Sequence, residues 1–408
     1  MIKVLHTADW HLGKRFEQMD LHADHQYFLD WLIGTINDNQ IDVLLVAGDI
    51  FDTGNPPNTA LKQYYDFLWK VKSTCCKQVV IIGGNHDSVA TLNAPKDLLK
   101  HLNVHVVGGV PDDINEEIIP VTNEGENTEL VICAVPFLRD KDIRLSISGE
   151  TYLERETRIK EGIAEHYRNL VPLIADYKNA NIPIIAAGHL FAAGAKTSDS
   201  EKDIHAGNLG QIGSADFPVE FNYIALGHLH RPQMVNKQGH IRYSGSPVAL
   251  GFSEHDHAKL VLIVSFDSGA LIAVDEINVP AFRRCYRIKS DEASVIKDFA
   301  ALKDDGLLLP AWVEIEVETN HYLQGIEEQL YNIKSTKPFI EAIVIRQTRI
   351  DKIRNINQHI SKAQDLNDLS PARVFEMRCE GMFPGSDHSA LVQTFAEAVE
   401  KFGQMENN

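Results

Sequence analysis

The chain has 408 residues, a length that exceeds what one hydrophobic core usually supports, so we expect more than one domain. Hydrophobic residues make up 44% and charged residues 24%, which excludes a disordered or fibrous chain. The formal net charge of -18 argues against a protein that holds nucleic acid by an overall positive field.

Short strand-like runs alternate with helical patterns from residue 1 to about residue 266, which predicts an α/β domain. The predicted strands are 2–6, 43–47, 79–82, 130–134, 184–187 and 223–226. Two helices, each covering a sheet face, are predicted from apolar residues at helical spacing. These residues are Phe28, Leu29, Leu32, Ile33 and Ile36 in the first helix and Leu61, Tyr64, Tyr65, Leu68 and Trp69 in the second.

Turn signals separate these elements. Prolines at 56 and 57 break the chain after Asp52, and Asn58 or Thr59 is expected to cap the second helix. Residues 112–128 are acidic and rich in turn formers, which predicts an exposed insertion or hairpin. Strands at 260–266 and 271–274 flank a turn that closes the first domain.

After Pro280 the pattern becomes that of a small α+β module. It predicts strands at 285–288, 312–317 and 340–345 and helices at 293–302 and 323–333. Residues 346–362 form the clearest basic segment, for which a solvated helix face and a contact surface stay equal alternatives. Beyond Asp365 we predict a helix-loop-helix.

No secretory signal follows Met1, and the apolar runs are far shorter than the roughly 20 residues that span a bilayer. The five cysteines form no CxxC pair, as expected for a reduced protein. We therefore expect a cytoplasmic protein without membrane association.

Five short motifs follow the predicted strands, at the positions where α/β sheets place their ligands. They are Asp9-Trp10-His11, Gly48-Asp49-Ile50-Phe51-Asp52, Gly84-Asn85-His86-Asp87, Gly188-His189 and Gly227-His228-Leu229-His230. Their carboxylates, imidazoles and amide oxygen suit Mn²⁺, Fe²⁺ or Zn²⁺, and alternate side chains in DxH and HxH point to one side. The glycines before Asp49, His189 and His228 are expected to let the backbone turn sharply. Each motif alone is compatible with turn and cap residues, but their conjunction predicts a dinuclear metal site.

The five motifs together resemble the pattern DxH, GDxxD, GNHD, H and GHxH of the calcineurin-like metallophosphoesterase superfamily. Residues 6–13, 46–54, 84–88 and 243–247 are similar to its double-strand-break repair nucleases. The resemblance implies a four-layer β-sandwich flanked by helices, with a small α+β cap and a C-terminal helix-loop-helix. It divides the chain into a nuclease domain (1–275), a DNA-capping domain (280–345), and a linker with a helical docking segment (346–408).

The same resemblance implies the ligand sets of two divalent metal ions. One ion is held by Asp9, His11, Asp49 and His230, and the other by Asp49, Asn85, His189 and His228. Mn²⁺ is expected, with Mg²⁺, Fe²⁺ and Zn²⁺ as alternatives.

His86 is expected to protonate the departing sugar oxygen, with a purely holding role toward Asp87 or a phosphate as the alternative. Asp52 is expected to orient His11 or His86, or only to cap a loop, and Asp87 to support the site from behind. Some archaeal and eukaryotic relatives carry a histidine at the position of Asp52, so that group's role is not transferred here.

The activity implied by the resemblance is that of a DNA nuclease. It would act as a 3′–5′ exonuclease on duplex ends and as an endonuclease on single strands and hairpins, on the DNA of the nucleoid, in repair, recombination and replication. The partners would be an SMC-like ATPase subunit of the ABC type and a second copy of the chain, within a heterotetramer. Docking on a partner also suits the tail, whose few apolar residues are Leu369, Phe375, Leu391, Phe395 and Val399.

Two other functions stay open. A small-substrate phosphatase or cyclic-nucleotide phosphodiesterase would use the same metal centre, although it needs no module beyond Pro280. A non-enzymatic scaffold would carry structural metals or none, but the intact ligand set and His86 disfavour it. In the cap itself, Arg283, Arg284 and Arg287 form a cluster, and a plain second core competes with a DNA-facing role.

Overall fold

A computed structural model of the chain describes residues 1–123, 125–143, 151–192, 212–319 and 325–348, together with residues 375, 379, 389, 391, 392, 394 and 395. Most of the basic segment 346–362 and most of the predicted helix-loop-helix lie outside the described residues. Two compact units divide the chain. The first comprises Met1–Arg287, Lys303–Glu314 and Lys337–Ile343, and the second comprises Ile288–Leu302, Ile315–Thr336 and Val344–Asn408.

The described residues form strands and helices close to those predicted. The strands are β1 (Ile2–Thr7), β2 (Arg15–Phe16), β3 (Met19–Asp20), β4 (Val43–Ala47), β5 (Gln78–Ile82), β6 (Val104–Val107), β7 (Ile118–Thr122), β8 (Thr128–Ala134), β9 (Ile184–His189), β10 (Tyr223–Gly227), β11 (Gln233–Val235), β12 (Gln238–Tyr243), β13 (Leu260–Asp267), β14 (Ala270–Asn278), β15 (Cys285–Asp291), β16 (Ala311–Glu318) and β17 (Ile340–Thr348). The helices are α1 (His22–Asp38), α2 (Asn58–Val71), α3 (Val89–Asn93), α4 (Lys96–Lys100), α5 (Asp140–Ile143), α6 (Tyr152–Asn179), α7 (Val295–Ala300) and α8 (Ile326–Ser335).

Within the described chain, two six-stranded sheets form the core of the part that precedes Pro280. Their strand orders are β14-β13-β1-β4-β5-β6 and β11-β12-β10-β9-β8-β7. Strands β1, β4, β5 and β6 run parallel, as do β8, β9, β10 and β12. Parallel strands are buried on both faces, which explains why β4 reads as an unbroken apolar run.

The sheets pack face to face through an apolar core that includes Val4 and Leu45 of one sheet and Ile185 and Ala225 of the other. Helix α6 covers the outer face of the second sheet, where its Tyr167 and Leu170 share a core with Val131 and Ile224. On the first sheet's side, the buried faces of α1 and α2 enclose the Trp10 ring. This order of helix, sheet, sheet and helix confirms the predicted four-layer fold.

The second predicted helix is correct in extent but not in its buried face. Tyr65 and Trp69 are 37% and 65% exposed, while Phe67 and Val71 are buried. The apolar residues of α2 spread around more of the helix than one stripe can bury, so the pattern alone did not select the core face. The expected side-chain cap was wrong as well, because Pro57 occupies the N-cap position without a side-chain hydrogen bond.

The acidic segment 112–128 contains the predicted hairpin and is mostly exposed, although one face of its strand is buried. Its β7 forms the edge of the second sheet, pairs antiparallel with β8, and buries Ile119 and Val121. Helix α6 went unpredicted, although Thr151 and Glu154 form a capping box at its start. Strands β6, β11 and β12 were also missed.

After Pro280, strands β15, β16 and β17 form a three-stranded sheet, with α7 and α8 between them in sequence as predicted. Residues 323 and 324 of the second predicted helix lie outside the described chain. The division into a nuclease domain (1–275), a DNA-capping domain (280–345) and a docking segment (346–408) stays a prediction. Among the described residues, no helix is both long and apolar enough to cross a membrane.

Candidate metal centre

The predicted ligands and His86 lie at or just after the carboxyl ends of strands, and both sheets contribute to the site. Asp9 and His11 follow β1, and Asp49 follows β4. Asn85 and His86 come after β5, His189 ends β9, and His228 and His230 come after β10. Since the two sheets face each other, these ends meet over the same edge of the sandwich.

The backbone is strained where it presents the site. Asp9, His11, Asp49 and His228 have positive φ angles of 54°, 49°, 50° and 103°. Such conformations cost of order 1–3 kcal/mol each for residues other than glycine and collect at functional sites. Four of them within one cluster indicate a site whose geometry is maintained against local preference.

The turn role predicted for three glycines holds only for Gly48, which has φ +89° and would place a Cβ 2.3 Å from His189 Nδ1. Gly188 and Gly227 do not adopt the left-handed conformation, so that prediction was wrong for them. Gly227 is needed instead for close approach, because a Cβ there would lie 1.9 Å from the carbonyl oxygen of Ala47 in the facing sheet.

The side chains converge into overlapping triads, each with ligand atoms within 4.8 Å of one another. The triads are Asp9 with His11 and His230, Asp9 with Asp49 and His189, and His11 with Asp49 and His86. Asn85 Oδ1 lies 2.9 Å from His189 Nε2, and the His228 ring centroid lies 5.5 Å from that of His189. The structure therefore brings every predicted ligand and His86 together.

The cluster is almost completely buried, and burial perturbs its titration. Burial raises the pKa of Asp9 to about 7 and lowers the pKa of His11 to about 4. Burial alone would lower the pKa of His189, but the neighbouring Asp49 carboxylate raises it to about 9. Buried carboxylates beside imidazoles are poorly stable unless a cation compensates them.

One atom in particular fits a cation. His11 Nε2 is buried and has no hydrogen-bond partner within the described chain. An orphaned imidazole nitrogen beside two carboxylates is the donor set that Mn²⁺, Fe²⁺ or Zn²⁺ accepts. The residues present therefore fit divalent metal ions.

Groups behind the cluster orient its rings. Asp52 Oδ1 lies 3.2 Å from His11 Nδ1 and accepts from Lys14 Nζ at 2.8 Å. The backbone carbonyl of Asp52 accepts from His86 Nδ1 at 2.7 Å, and that of Ala47 accepts from His189 Nδ1 at 3.0 Å. A carbonyl oxygen only accepts, so both histidines carry a proton on Nδ1 and direct Nε2 toward the centre.

Asp87 fastens two of the site loops together. Its carboxylate is buried and accepts backbone N–H groups from Ile50 at 3.1 Å, Phe51 at 2.9 Å and Gly84 at 2.9 Å. These residues lie next to Asp49 and Asn85, so Asp87 links the loops that carry two of the predicted ligands.

Glu254 was missed. Its Oε1 accepts a hydrogen bond from His230 Nδ1 at 2.9 Å, 24 positions away in sequence. Burial alone would raise the pKa of the Glu254 carboxyl, but Lys259 and His230 hold it well below its usual range. No local motif links Glu254 to the site, because His230 comes from another loop.

A two-sheet sandwich with such a cluster at its strand ends is the architecture of a metal-dependent phosphoesterase. Residues 2–232 match the family model described as calcineurin-like phosphoesterase. Residues 281–383 match the model described as type 5 capsule protein repressor C-terminal domain.

Relatives that match most of the chain identify a narrower family within this class. The SbcD component of nuclease SbcCD from Escherichia coli (strain K12) is 36% identical over 92% of both chains. The protein of the same name from Bacillus subtilis (strain 168) is 29% identical over 98% of this chain and 99% of the relative. That from Rhodobacter capsulatus is 33% identical over 64% of this chain and 66% of the relative. The chain belongs to the calcineurin-like phosphoesterases and, among them, to the family of the SbcD nucleases.

Proposed function

We propose that this chain is the nuclease component of an SbcCD-type complex and hydrolyses the phosphodiester backbone of DNA with two divalent metal ions. The observation that carries the proposal is the buried cluster around Asp9 and Asp49, with its orphaned His11 nitrogen. Its position at the shared edge of two sheets, in a family of phosphoesterases, supports hydrolysis over a purely structural metal site.

The proposed ligand sets are those that the family resemblance implies, and the first of them contains the triad of Asp9, His11 and His230. Asp9, His11, Asp49 and His230 would hold one ion, and Asp49, Asn85, His189 and His228 the other, with Asp49 between them. Bound divalent ions would supply a nucleophilic hydroxide and neutralise charge on the phosphoryl oxygens. The mixed nitrogen and oxygen donors suit Mn²⁺, Fe²⁺ or Zn²⁺, and Mn²⁺ is the proposed ion by family resemblance.

His86 is the proposed general acid. It is only half-buried, and its ring centroid lies 4.7 Å from that of His11. Because Nδ1 donates to the Asp52 carbonyl, Nε2 is the ring nitrogen that faces the centre and could deliver a proton there. A departing sugar oxygen at Nε2 would then receive its proton.

DNA attraction must be local, since the net charge is -18. The three cap arginines are each paired: Arg283 with Asp24, Arg284 with Asp305, and Arg287 with Glu314. They do not supply an uncompensated basic patch. We therefore propose that DNA is held by the metal centre and by a partner ATPase of the SbcC type, as the relatives' names imply, with 280–345 as the capping domain and 346–408 as the docking segment.

A homodimer within a heterotetramer, acting on nucleoid DNA in the cytoplasm, completes the proposal. Trp69 on α2 and Leu98 on α4 are 65% and 69% exposed, and such large apolar side chains suit a protein interface. Sedimentation of the wild type against Trp69→Glu tests the dimer.

The decisive experiment compares wild type, His86→Ala, Asp49→Ala and the matched control His101→Ala, whose histidine is exposed and outside the cluster. Each is given Mn²⁺ with end-labelled duplex DNA, hairpin DNA and bis-p-nitrophenyl phosphate, with and without the ATPase partner and ATP. We expect the His86 variant to lose about 10²–10⁴-fold in rate while still binding Mn²⁺, and the Asp49 variant to lose both activity and metal.

If wild type hydrolyses only the small ester, even with its partner and ATP, the small-substrate phosphodiesterase replaces the nuclease. If it binds DNA and the partner but hydrolyses nothing with any divalent metal, the scaffold function holds instead.

A further inference from the structure

Glu254 lies on a short helical turn between β12 and β13, behind the predicted ligand His230. Its carboxylate is buried, and its two oxygens have different partners. Oε1 accepts from His230 Nδ1 at 2.9 Å. Oε2 accepts from the ammonium group of Lys259, from the backbone N–H of Leu250 at 3.2 Å and from Ser246 Oγ at 3.2 Å.

We propose that Glu254 is a positioning residue, which fixes His230 in the tautomer whose Nε2 lone pair faces the metal centre. The proposal rests on the proposed function, in which His230 is a metal ligand. One ring nitrogen of His230 lies within 4.8 Å of ligand atoms of Asp9 and His11. Since Nδ1 donates to Glu254, Nε2 is the ring nitrogen whose lone pair would bind a metal.

The direction of the Glu254 hydrogen bond decides the tautomer. A carboxylate only accepts, so His230 must carry its proton on Nδ1 and cannot carry a second one on Nε2 while neutral. A neutral histidine in water prefers the opposite tautomer, with the proton on Nε2, where it would block metal binding. Glu254 therefore removes a competing state of the ligand rather than adding a contact to the metal.

Lys259 gives the carboxylate a fixed orientation. Its ammonium group also donates to Ser246 Oγ at 2.7 Å, and three donors converge on Oε2. In a Glu254→Gln variant the amide oxygen must take the place of Oε2, because an amide NH₂ cannot face three donors. The NH₂ group then faces His230 Nδ1, which can satisfy it only by accepting, so the substitution inverts the tautomer.

The test uses the metal-free full chain with ¹⁵N-labelled histidine. Two-bond nitrogen–proton spectra report which ring nitrogen is protonated, and His230→Asn identifies the His230 signals. We expect Nδ1–H in wild type and in the control Glu116→Gln, whose glutamate pairs with Lys96 on the surface, and Nε2–H in Glu254→Gln. Calorimetry with Mn²⁺ should then show affinity reduced by about 10–100-fold in Glu254→Gln alone, with hydrolysis largely restored at saturating Mn²⁺.

Lys259→Met separates positioning from stability. It breaks the same buried ion pair, so a merely structural Glu254 predicts equal defects in both variants. Positioning predicts that Lys259→Met loses thermal stability but keeps Nδ1–H on His230 and its Mn²⁺ affinity. An Nε2–H signal in metal-free wild type overturns the proposal even if Glu254→Gln fails to fold, as does unchanged Mn²⁺ affinity in a folded Glu254→Gln. Absence of Mn²⁺ binding by wild type refutes the proposed function instead, and leaves the tautomer result standing.

Discussion

Replacing Asp87 by asparagine tests how far the site depends on a group that holds backbone rather than metal. In the wild type, Oδ2 accepts from the backbone N–H groups of Ile50 and Gly84, and Oδ1 accepts from that of Phe51. Asparagine has nearly the same volume but only one acceptor oxygen. Whichever way the amide turns, at least one buried N–H group faces an NH₂ group and loses its partner.

The expected effect can be estimated from these bonds. If the amide oxygen takes the place of Oδ2, two bonds survive as neutral ones and one is lost. A hydrogen bond to a charged group contributes about 1.5–3 kcal/mol, and an unsatisfied buried donor costs about 1–3 kcal/mol. The free energy of unfolding should therefore fall by about 2–4 kcal/mol, and Mn²⁺ affinity should fall because the loops carrying Asp49 and Asn85 loosen.

The assay is urea unfolding of the metal-free protein followed by calorimetric Mn²⁺ titration. Burial raises the pKa of Asp87 to about 6, so the measurement is made well above that pH, where the side chain is an anion. Asp112→Asn, at an exposed site, is the matched control. An unfolding midpoint for Asp87→Asn equal to that of the control would refute the role assigned to the three hydrogen bonds.

Three further substitutions have distinct expected outcomes. Gly227→Ala should lower the free energy of unfolding by about 3 kcal/mol or more, because the new Cβ would meet the carbonyl oxygen of Ala47 at 1.9 Å. The control Gly34→Ala in helix α1, where a Cβ has nothing within 4 Å, should stabilise the protein by about 0.5–1 kcal/mol. Equal thermal unfolding midpoints for the two variants would contradict the close approach of the sheets. Trp10→Ala, which empties a fully buried position, should cost about 3–5 kcal/mol in the free energy of unfolding and weaken Mn²⁺ binding, and wild-type Mn²⁺ affinity would exclude a link between this core and the site. Burial raises the pKa of Glu117 above its ordinary value of 4.5. The contribution of this carboxyl to stability is therefore present below pH 4.5 and is lost as the pH rises through the folded-state pKa. The stability of wild type minus that of Glu117→Gln should decrease with rising pH in urea unfolding, and an increase would contradict the raised pKa.

The candidate metal centre could be predicted from the sequence because each of its motifs is local. An apolar run such as β4 predicts a strand, and Asp49 stands two positions after its end. In parallel sheets, the carboxyl ends of strands meet at one edge, so motifs at successive ends converge without further information. The four-layer fold came from the family resemblance that those motifs support.

The sequence predictions were wrong where a local pattern is compatible with several structures. The apolar residues of α2 permit more than one buried face, and only packing against Trp10 selected Phe67 over Trp69. Glycine motifs likewise do not distinguish a turn from a close approach. Gly227 serves the latter, since the facing sheet supplies the oxygen that excludes a side chain.

The predicted ligands and the nearby supporting residues Asp52 and Asp87 could be read from the amino-acid order, whereas supporting residues from distant segments became visible only in the folded chain. Glu254 meets His230 across 24 positions, and Arg283 meets Asp24 across 259. Hydrogen bonds and ion pairs between distant segments leave no periodicity in the chain, because they depend on where strands and loops come to lie rather than on the spacing of neighbouring residues.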